Sequence, residues 1–266
     1  THMKRILKIG MDVHTTNYTL CAMEPIIGED DRVFATIKVT PDYKNILMFI
    51  ENLKMKLGLN DEYDIQCGYE AGCLGYSLYN QLIAAGVKCV ILAPTTMLTP
   101  QGVRIKTDMR DAYMIAQCLS YGGYHAVYIP TEDDDSVKEY LRMRNDHKIA
   151  LKKIKQQINA FCIRHGFCYD GTKWTMTHLK WLKKLETRNA IYRETLNEYM
   201  ASYEEQEAKV ERYDKRIEEM AKQEKYHVKV KKLECFLGIK THTALSLIVE
   251  TGDFERFAKG NQYASY

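Results

Sequence analysis

The sequence predicts an α/β domain at the amino end of the chain, followed by a mostly helical region. Three observations predict this division. Runs of strand-forming residues alternate with segments of helical spacing up to about Pro130. All five prolines lie at or before Pro130. Beyond it, apolar residues recur at steps of three and four, which is typical of long helices.

Three strands are predicted first. Residues 6–13 are apolar at nearly every position, which is typical of a central strand. Residues 18–23 and 33–39 follow with strand-like content, and the second of these runs alternates between apolar and polar residues. The short turns between the runs make an antiparallel arrangement plausible.

Helices and strands then alternate. Helices are predicted at 43–57, 74–85 and 111–119, and strands at 64–69 and 88–93. The resulting order, β-β-β-α-β-α-β-α, fits an RNase H-like layered α/β fold.

The second region carries a sustained heptad seam between Tyr192 and Met220, which only Gln206 interrupts. The seam predicts either a long antiparallel hairpin or a dimerising coiled coil, and an amphipathic helix packed on its own domain is the alternative. A shorter helical pair at 231–252 has the outline of a helix-hairpin-helix. We therefore expect three parts, which are 1–130, 131–228 and 229–266.

Composition restricts the classes of protein to consider. The 266 residues are 45% hydrophobic and 27% charged, which is ordinary for a folded soluble protein. No apolar run reaches the roughly 18 residues of a membrane span, and no signal peptide opens the chain, so we expect no membrane partner. Eight cysteines without a C-x-x-C pair predict reduced thiols and a cytoplasmic location.

Positive charge is concentrated beyond the predicted boundary. Residues 1–130 hold 12 basic and 13 acidic side chains, whereas 131–266 hold 26 and 22. The strongest local excess lies at 138–166, with eight basic residues against two acidic ones. This excess indicates a polyanionic partner, with a solvated helix face as the alternative.

Four acidic residues stand out by position. Two lie on apolar strands, where an isolated carboxylate is unfavourable, and two lie close together at a helix start. Asp12 lies inside the apolar first strand, and Glu70 ends a later core strand. Asp108 and Asp111 are spaced i, i+3 at a helix start, so both lie on one face. Each residue alone could have an ordinary role, as a helix cap, a turn acid or a surface residue. Together they form a D…E…D-x-x-D set.

Four converging carboxylates suit two Mg²⁺ ions, which can activate a nucleophile and stabilise the leaving oxygen of a phosphodiester. Mg²⁺ prefers oxygen ligands, so acids without histidine or cysteine fit it better than Zn²⁺. Asp12, on the central strand, is the best candidate to bridge both ions. Arg104 or Lys106 would contact phosphate nearby.

Several motifs in order resemble one family. The motifs are GMDVH at 10–14, YEAG at 69–72, VILAP at 90–94 and KTDMRDA at 106–112. They resemble the DEDD transposases of bacterial mobile elements, the insertion-sequence 110 family, which have a RuvC-like N-terminal domain. The resemblance continues through the basic segment 141–144 to 237–244 and 250–257, so it covers essentially the whole chain.

The resemblance implies that Asp12, Glu70, Asp108 and Asp111 bind Mg²⁺, with Mn²⁺ as a substitute, and that the protein cuts and rejoins DNA. It also implies an element-encoded guide, or bridge, RNA and assembly into a dimer or tetramer, for which the heptad seam is suited. The residues expected to contact nucleic acid are Arg104, Lys106, Arg110, Arg142, Arg144, Lys148, Lys152 and Lys155.

The sequence departs from the family pattern in two places. Lys240 stands where the family's hairpin usually carries a second glycine. Family members also continue past the ASY segment at 264–266 into a stretch with a serine thought to act as nucleophile, and Ser265 does not match that serine. We therefore expect a truncated chain that binds metal yet cannot complete strand exchange.

Other functions were compatible with parts of the pattern. A structure-specific nuclease of the Holliday-junction-resolvase type needs the same four acids, but not the heptad seam. A non-catalytic nucleic-acid-binding scaffold would tolerate loss of any of them. An actin-like ATPase or sugar kinase would need a second glycine-rich phosphate loop, which the sequence lacks. A tyrosine nucleophile would need an Arg/His cluster, and none accompanies the 19 tyrosines.

Overall fold

The computed structural model describes residues 5–26, 30–58, 63–97 and 107–265. The chain divides into two compact units, Thr1–Ile129 and Pro130–Tyr266. The elements of the first unit are β1 (Arg5–Val13), β2 (Tyr18–Glu24), β3 (Arg32–Val39), α1 (Tyr43–Leu57), β4 (Tyr63–Glu70), α2 (Ser77–Ala84), β5 (Lys88–Leu92) and α3 (Asp108–Tyr121). Those of the second are α4 (Glu132–Arg164), α5 (Met176–Lys184), α6 (Ala190–Ala221), α7 (Glu224–Glu234), α8 (Thr241–Thr251) and α9 (Gly260–Ser265).

The described strands of the first unit form one mixed sheet in the order β3-β2-β1-β4-β5. The first three strands pair antiparallel, whereas β1 with β4 and β4 with β5 pair parallel. Because parallel neighbours need a crossover, α1 connects β3 to β4 and α2 connects β4 to β5. This order confirms the predicted RNase H-like α/β fold.

One face of the sheet packs against α1 and α2. Leu7, Ile9 and Met11 alternate along β1 and are fully buried in this core. Their period of two places them on one face, as expected for a strand. The two helices contribute apolar side chains that recur at helical spacing, namely Ile46, Phe49, Ile50, Leu53, Leu78 and Leu82.

The opposite face packs against α3, and a glycine sets how closely. A Cβ built on Gly10 would lie 2.1 Å from the Ala112 carbonyl oxygen and 2.3 Å from the Ala116 nitrogen. Only a residue without a side chain fits between β1 and backbone this close. Small residues on both partners therefore bring the helix backbone almost against the central strand.

The predicted first residues of two helices were wrong, each for a local reason. Helix α3 begins at Asp108 rather than at 111, because the Thr107 side chain accepts a hydrogen bond from the Arg110 backbone nitrogen and caps the helix there. Helix α2 begins at Ser77 rather than at 74, because Gly75 adopts a φ of 53° that ends any continuous helix through it.

In the second unit, α4 and α6 form a long antiparallel hairpin. Buried residues of the predicted seam, among them Leu196 and Tyr203, pack against Ile158 and Phe161 of α4. Nearer the other end, Ile217 packs in the same core as Leu141. Helix α4 thus covers the seam of α6 within the same chain, as expected for the antiparallel hairpin.

Polar contacts fix the register of this hairpin. The Gln206 side chain, which interrupts the seam, donates to the His147 carbonyl oxygen at 2.9 Å. The Arg144 guanidinium makes two hydrogen bonds to the Asp214 carboxylate, at 2.7 and 3.0 Å. Arg144 is buried, so a shift of register would leave its charge unpaired and would be costly.

A buried carboxylate ties the start of α4 to α7. Asp134 accepts a 2.6 Å hydrogen bond from the Tyr226 hydroxyl and lies 2.9 Å from Lys225 Nζ. Burial alone would raise the pKa of the Asp134 carboxyl, but hydrogen bonds from Tyr226, Lys225 and Thr131 together hold it below its ordinary value. The contact joins the amino end of a long helix to a neighbouring helix of the same unit.

Two further observations concern membrane spans and disulfide bonds. In the described parts of the chain, no helix combines the length and apolar character needed to cross a bilayer. All eight cysteines are free.

We predict that Gly10→Ala lowers the free energy of unfolding of the first unit by about 2 kcal/mol or more, because the added methyl group would overlap α3 backbone. Hydrogen exchange of β1 and α3 peptides in increasing urea measures this change. Gly72→Ala is the matched control, since its Cβ would meet only the Glu70 carbonyl oxygen at an ordinary 3.8 Å. Equal stability of the two variants would contradict the close packing.

We predict that Tyr226→Phe destabilises the second unit by about 1–3 kcal/mol at pH 7, since it removes a hydrogen bond to a buried charge. A carboxyl with a lowered folded pKa stabilises above its unfolded value, and this contribution is lost as the pH falls through the folded value. The loss should begin at a higher pH in the variant. Fluorescence of Trp174 and Trp181, which both lie in this unit, follows unfolding, with exposed Tyr192→Phe as control.

Candidate metal centre

Two neighbouring parallel strands end in acidic residues. Met11 of β1 pairs with Tyr69 of β4, so Asp12 and Glu70 occupy the next position on each strand. Residues at alternate positions share a face, which places Asp12 with Gly10 on the side covered by α3. The Cβ of Gly68 would likewise meet α3, so Glu70 belongs to the same face.

Helix α3 supplies the other two acids at its amino end. Asp108 and Asp111 both lie in its first turn. Because Gly10 lies against Ala112 and Ala116, the first turn of the helix lies beside the next residues of β1, where Asp12 stands. The close packing described above is therefore what brings helix and strand carboxylates together.

Three side chains form a compact group of possible metal ligands. One oxygen each of Asp12 and Asp108 and one ring nitrogen of His14 all lie within 4.8 Å of one another. His14 Nε2 is 3.2 Å from Asp12 Oδ2. Glu70 lies outside this group, whereas Asp111 is close enough to Asp12 to affect its ionisation, as described next.

The electrostatics confirm that negative charge converges here. Burial is the main cause that raises the pKa of the Asp12 carboxyl above its ordinary value. His14 opposes this change, while the charges of Asp111 and Asp108 raise the pKa further. Like charges held this close favour a cation between them.

A lysine of β3 already provides one positive charge. Lys38 Nζ lies 2.7 Å from Asp108 Oδ2, and this contact is the main cause that lowers the pKa of the Asp108 carboxyl. Lys38 reaches this position because it pairs with Thr19, which in turn pairs with Asp12 across the sheet. Three strands thus place an acid, a hydroxyl and a cation in one row on the α3 face.

Thr19, in the middle of that row, has a buried hydroxyl without a hydrogen-bond partner among the described residues. Buried polar atoms are normally paired with protein groups, with water or with an ion. Carboxylate oxygens within ligand distance, an adjacent imidazole and an unpaired hydroxyl fit a hydrated divalent cation.

Sequence reasoning missed His14. His14 was not among the predicted metal ligands, although it belongs to the same GMDVH motif as Asp12. The signal available was its spacing, since it stands two residues after Asp12 and immediately after the end of β1.

The predicted nucleic-acid-binding residues differ in their surroundings. Arg104 and Lys106 lie outside the described residues. Arg110 is exposed in the first turn of α3. On α4, Lys148 and Lys152 are exposed. Arg142 contacts Glu139 at 2.7 Å. Lys155 lies over the rings of Trp174 and Tyr203. Arg144 is committed to Asp214, so its charge serves the hairpin.

The mixed sheet carries carboxylates near the ends of its central strands, and comparison with family models gives the class of protein, a DNA transposase. The model DEDD_Tnp_IS110, described as a transposase, matches residues 9–162 and so includes all four acids. The chain belongs to this insertion-sequence 110 family of DEDD transposases, which confirms the resemblance noted in the sequence.

Individual relatives agree with this assignment. The transposase for insertion sequence element IS1533 of Leptospira borgpetersenii is 34% identical over 262 residues, covering 97% of this chain and 73% of that protein. The transposase-like protein y4qE of Sinorhizobium fredii (strain NBRC 101917 / NGR234) is 30% identical over 199 residues, covering 74% of this chain and 48% of that protein.

Among solved structures, the chain is similar to RuvC of T. thermophilus in complex with a Holliday junction substrate. That similarity has a TM-score of 0.31 and 10% identity, and it covers 46% of this chain and 99% of the other.

We predict that Thr19→Val raises the free energy of unfolding of the metal-free first unit by about 1 kcal/mol. The substitution keeps the shape of the side chain and removes a buried hydroxyl that has no partner among the described residues. The control is Thr96→Val. The Thr96 hydroxyl donates to the Ala93 carbonyl oxygen at 2.9 Å, so its removal should lower the free energy of unfolding. Hydrogen exchange in urea compares the two. Destabilisation by Thr19→Val would show that its hydroxyl is paired in solution.

Proposed function

We propose that this transposase cleaves DNA strands with the help of divalent cations held by Asp12, Glu70, Asp108 and Asp111. The observation that carries the proposal is the convergence of Asp12 and Asp108 within ligand distance at the carboxyl end of the central strand. Mg²⁺ is the expected cation, with Mn²⁺ as a substitute, because the four acids offer oxygen ligands.

In this proposal the four acids would hold the cations and Lys38 would contact phosphate. When bound, two such cations supply the activation of the attacking oxygen and the stabilisation of the leaving oxygen at phosphorus. Asp12, on the central strand and beside α3, would hold both cations, together with Glu70 on the neighbouring strand and Asp108 and Asp111 in the first turn of the helix. Lys38 neutralises Asp108 and is long enough to turn toward a phosphate instead.

We propose that the exposed basic residues of α4 contact nucleic acid. Lys148 and Lys152 stand one helical turn apart and are exposed. Family resemblance extends the expected partners to the element ends, the target DNA and a guide RNA. Arg144 is less suited to this role than its neighbours, because Asp214 already neutralises it.

Self-association and location complete the proposal. We expect a dimer or tetramer acting in the bacterial cytoplasm, as the resemblance implies. The heptad seam through which association was expected is covered by α4, so assembly through α6 would need the hairpin to open. The relatives are longer than this chain, and the proposal therefore concerns binding and strand cleavage rather than the complete exchange reaction.

The decisive variant is Asp12→Asn. We expect it to abolish the binding of Mg²⁺ and Mn²⁺ measured by calorimetry and to lower metal-dependent nicking of DNA by about 100-fold or more, since the central ligand loses its charge. The fold should survive, because Asp12 is held among like charges that the substitution relieves.

Asp64→Asn is the matched control. It removes an acid of β4 at the opposite end of the same sheet, where Asp64 pairs with Lys88. This variant should bind metal and nick DNA like the parent chain. Undiminished metal binding by Asp12→Asn would overturn the proposed site, and so would nicking that survives the loss of metal binding. A parent chain that binds DNA but never nicks it would favour the scaffold role.

A further inference from the structure

The turn after β1 holds an imidazole against two carboxylates. The His14 backbone nitrogen donates to the Asn17 carbonyl oxygen at 2.9 Å, which fixes the start of the hairpin that leads into β2. From there His14 Nε2 lies 3.2 Å from Asp12 Oδ2. The side chain is about half exposed, at 52%, so the ring is accessible from solvent.

The distances within this group match those around a bound cation. Ligand atoms about 2.0–2.2 Å from a divalent ion lie roughly 3–4.5 Å apart. The chosen atoms of Asp12, His14 and Asp108 are all within 4.8 Å of one another without any ion. A small inward movement of side chains, of which His14 is the most exposed, would complete the set.

The unpaired hydroxyl of Thr19 is an independent observation at the same place. It is fully buried and stands directly across the β1–β2 pair from Asp12. Opposed residues of an antiparallel pair share a face, with Cβ atoms about 5 Å apart. A water bound to a cation at Asp12 would give this hydroxyl the partner that it lacks among the described residues.

We propose that His14 is a direct ligand of the cation held by Asp12 and Asp108, which makes this position a mixed nitrogen and oxygen site. Imidazole suits first-row transition metals, whereas Mg²⁺ takes oxygen ligands almost exclusively. The site therefore binds Mn²⁺ in preference to Mg²⁺. This inference rests on the proposed function, and it adds a ligand and a metal preference to it.

The rival role for His14 is a hydrogen bond that only orients Asp12. In that role the ring would donate Nε2–H to the carboxylate and could not coordinate a metal through the same nitrogen. As a ligand, Nε2 must instead present its lone pair, with the ring proton on Nδ1. The two roles therefore differ in whether nitrogen is bonded to the metal.

Pulsed electron paramagnetic resonance of bound Mn²⁺ distinguishes them directly. We expect the whole chain to show ¹⁴N modulation from a coordinated imidazole. The signal should be absent in His14→Ala and retained in His125→Ala, which removes an exposed histidine of the same unit. The measurement on the unsubstituted chain does not depend on whether any variant folds.

Calorimetry with each metal alone gives a second readout. His14→Ala should raise the Kd for Mn²⁺ at least about tenfold, a loss typical even of outer-sphere partners. The Kd for Mg²⁺ should change less than about threefold, because oxygen ligands hold that ion. A role that only orients Asp12 would instead weaken both metals alike.

The outcomes separate this inference from the proposed function. Mn²⁺ that binds through Asp12 but shows no ¹⁴N modulation would overturn the His14 ligand and leave the acid site intact. Mn²⁺ binding that survives Asp12→Asn would overturn the proposed site itself. Absence of any binding would overturn both.

Discussion

The close approach of α3 to β1 is the constraint on which the candidate site depends. Gly10 leaves room for the backbone of Ala112 and Ala116, and no other residue could do so without moving the helix. Because the helix is held at this distance, Asp108 and Asp111 in its first turn lie close to Asp12, two residues after Gly10 on the strand. Packing and chemistry are therefore joined in one contact, since a looser helix would leave each carboxylate solvated and separate.

That arrangement has an electrostatic cost, which neighbouring residues reduce. Burial and two nearby carboxylates disfavour the charged form of Asp12, while His14 and Lys38 bring compensating contacts from the hairpin and from β3. The first three strands of the sheet all contribute to this local balance. A site that is tolerable without metal, yet still short of positive charge, is suited to taking up a cation when one is offered.

The sequence predicted the parts of this molecule that follow a regular pattern. Helix α1 has the predicted limits, and β1 differs from prediction by one residue, because both have a clear apolar period. The acids were found because a carboxylate in an apolar strand is conspicuous. His14 and the ion pair of Arg144 escaped, since a turn residue has no period and a partner 70 positions away leaves no local signal.

The fixed register of the α4–α6 hairpin has a consequence for length. Helix α4 has 33 residues and is therefore about 50 Å long. That is the extent of about 15 base pairs of B-form DNA, or well over one turn of the duplex. Since the contacts of Arg144 and Gln206 prevent the two helices from sliding, the side chains of α4 keep constant positions relative to those of α6. If the exposed lysines of α4 contact nucleic acid as proposed, the hairpin would present the polyanion with a rigid support of fixed length.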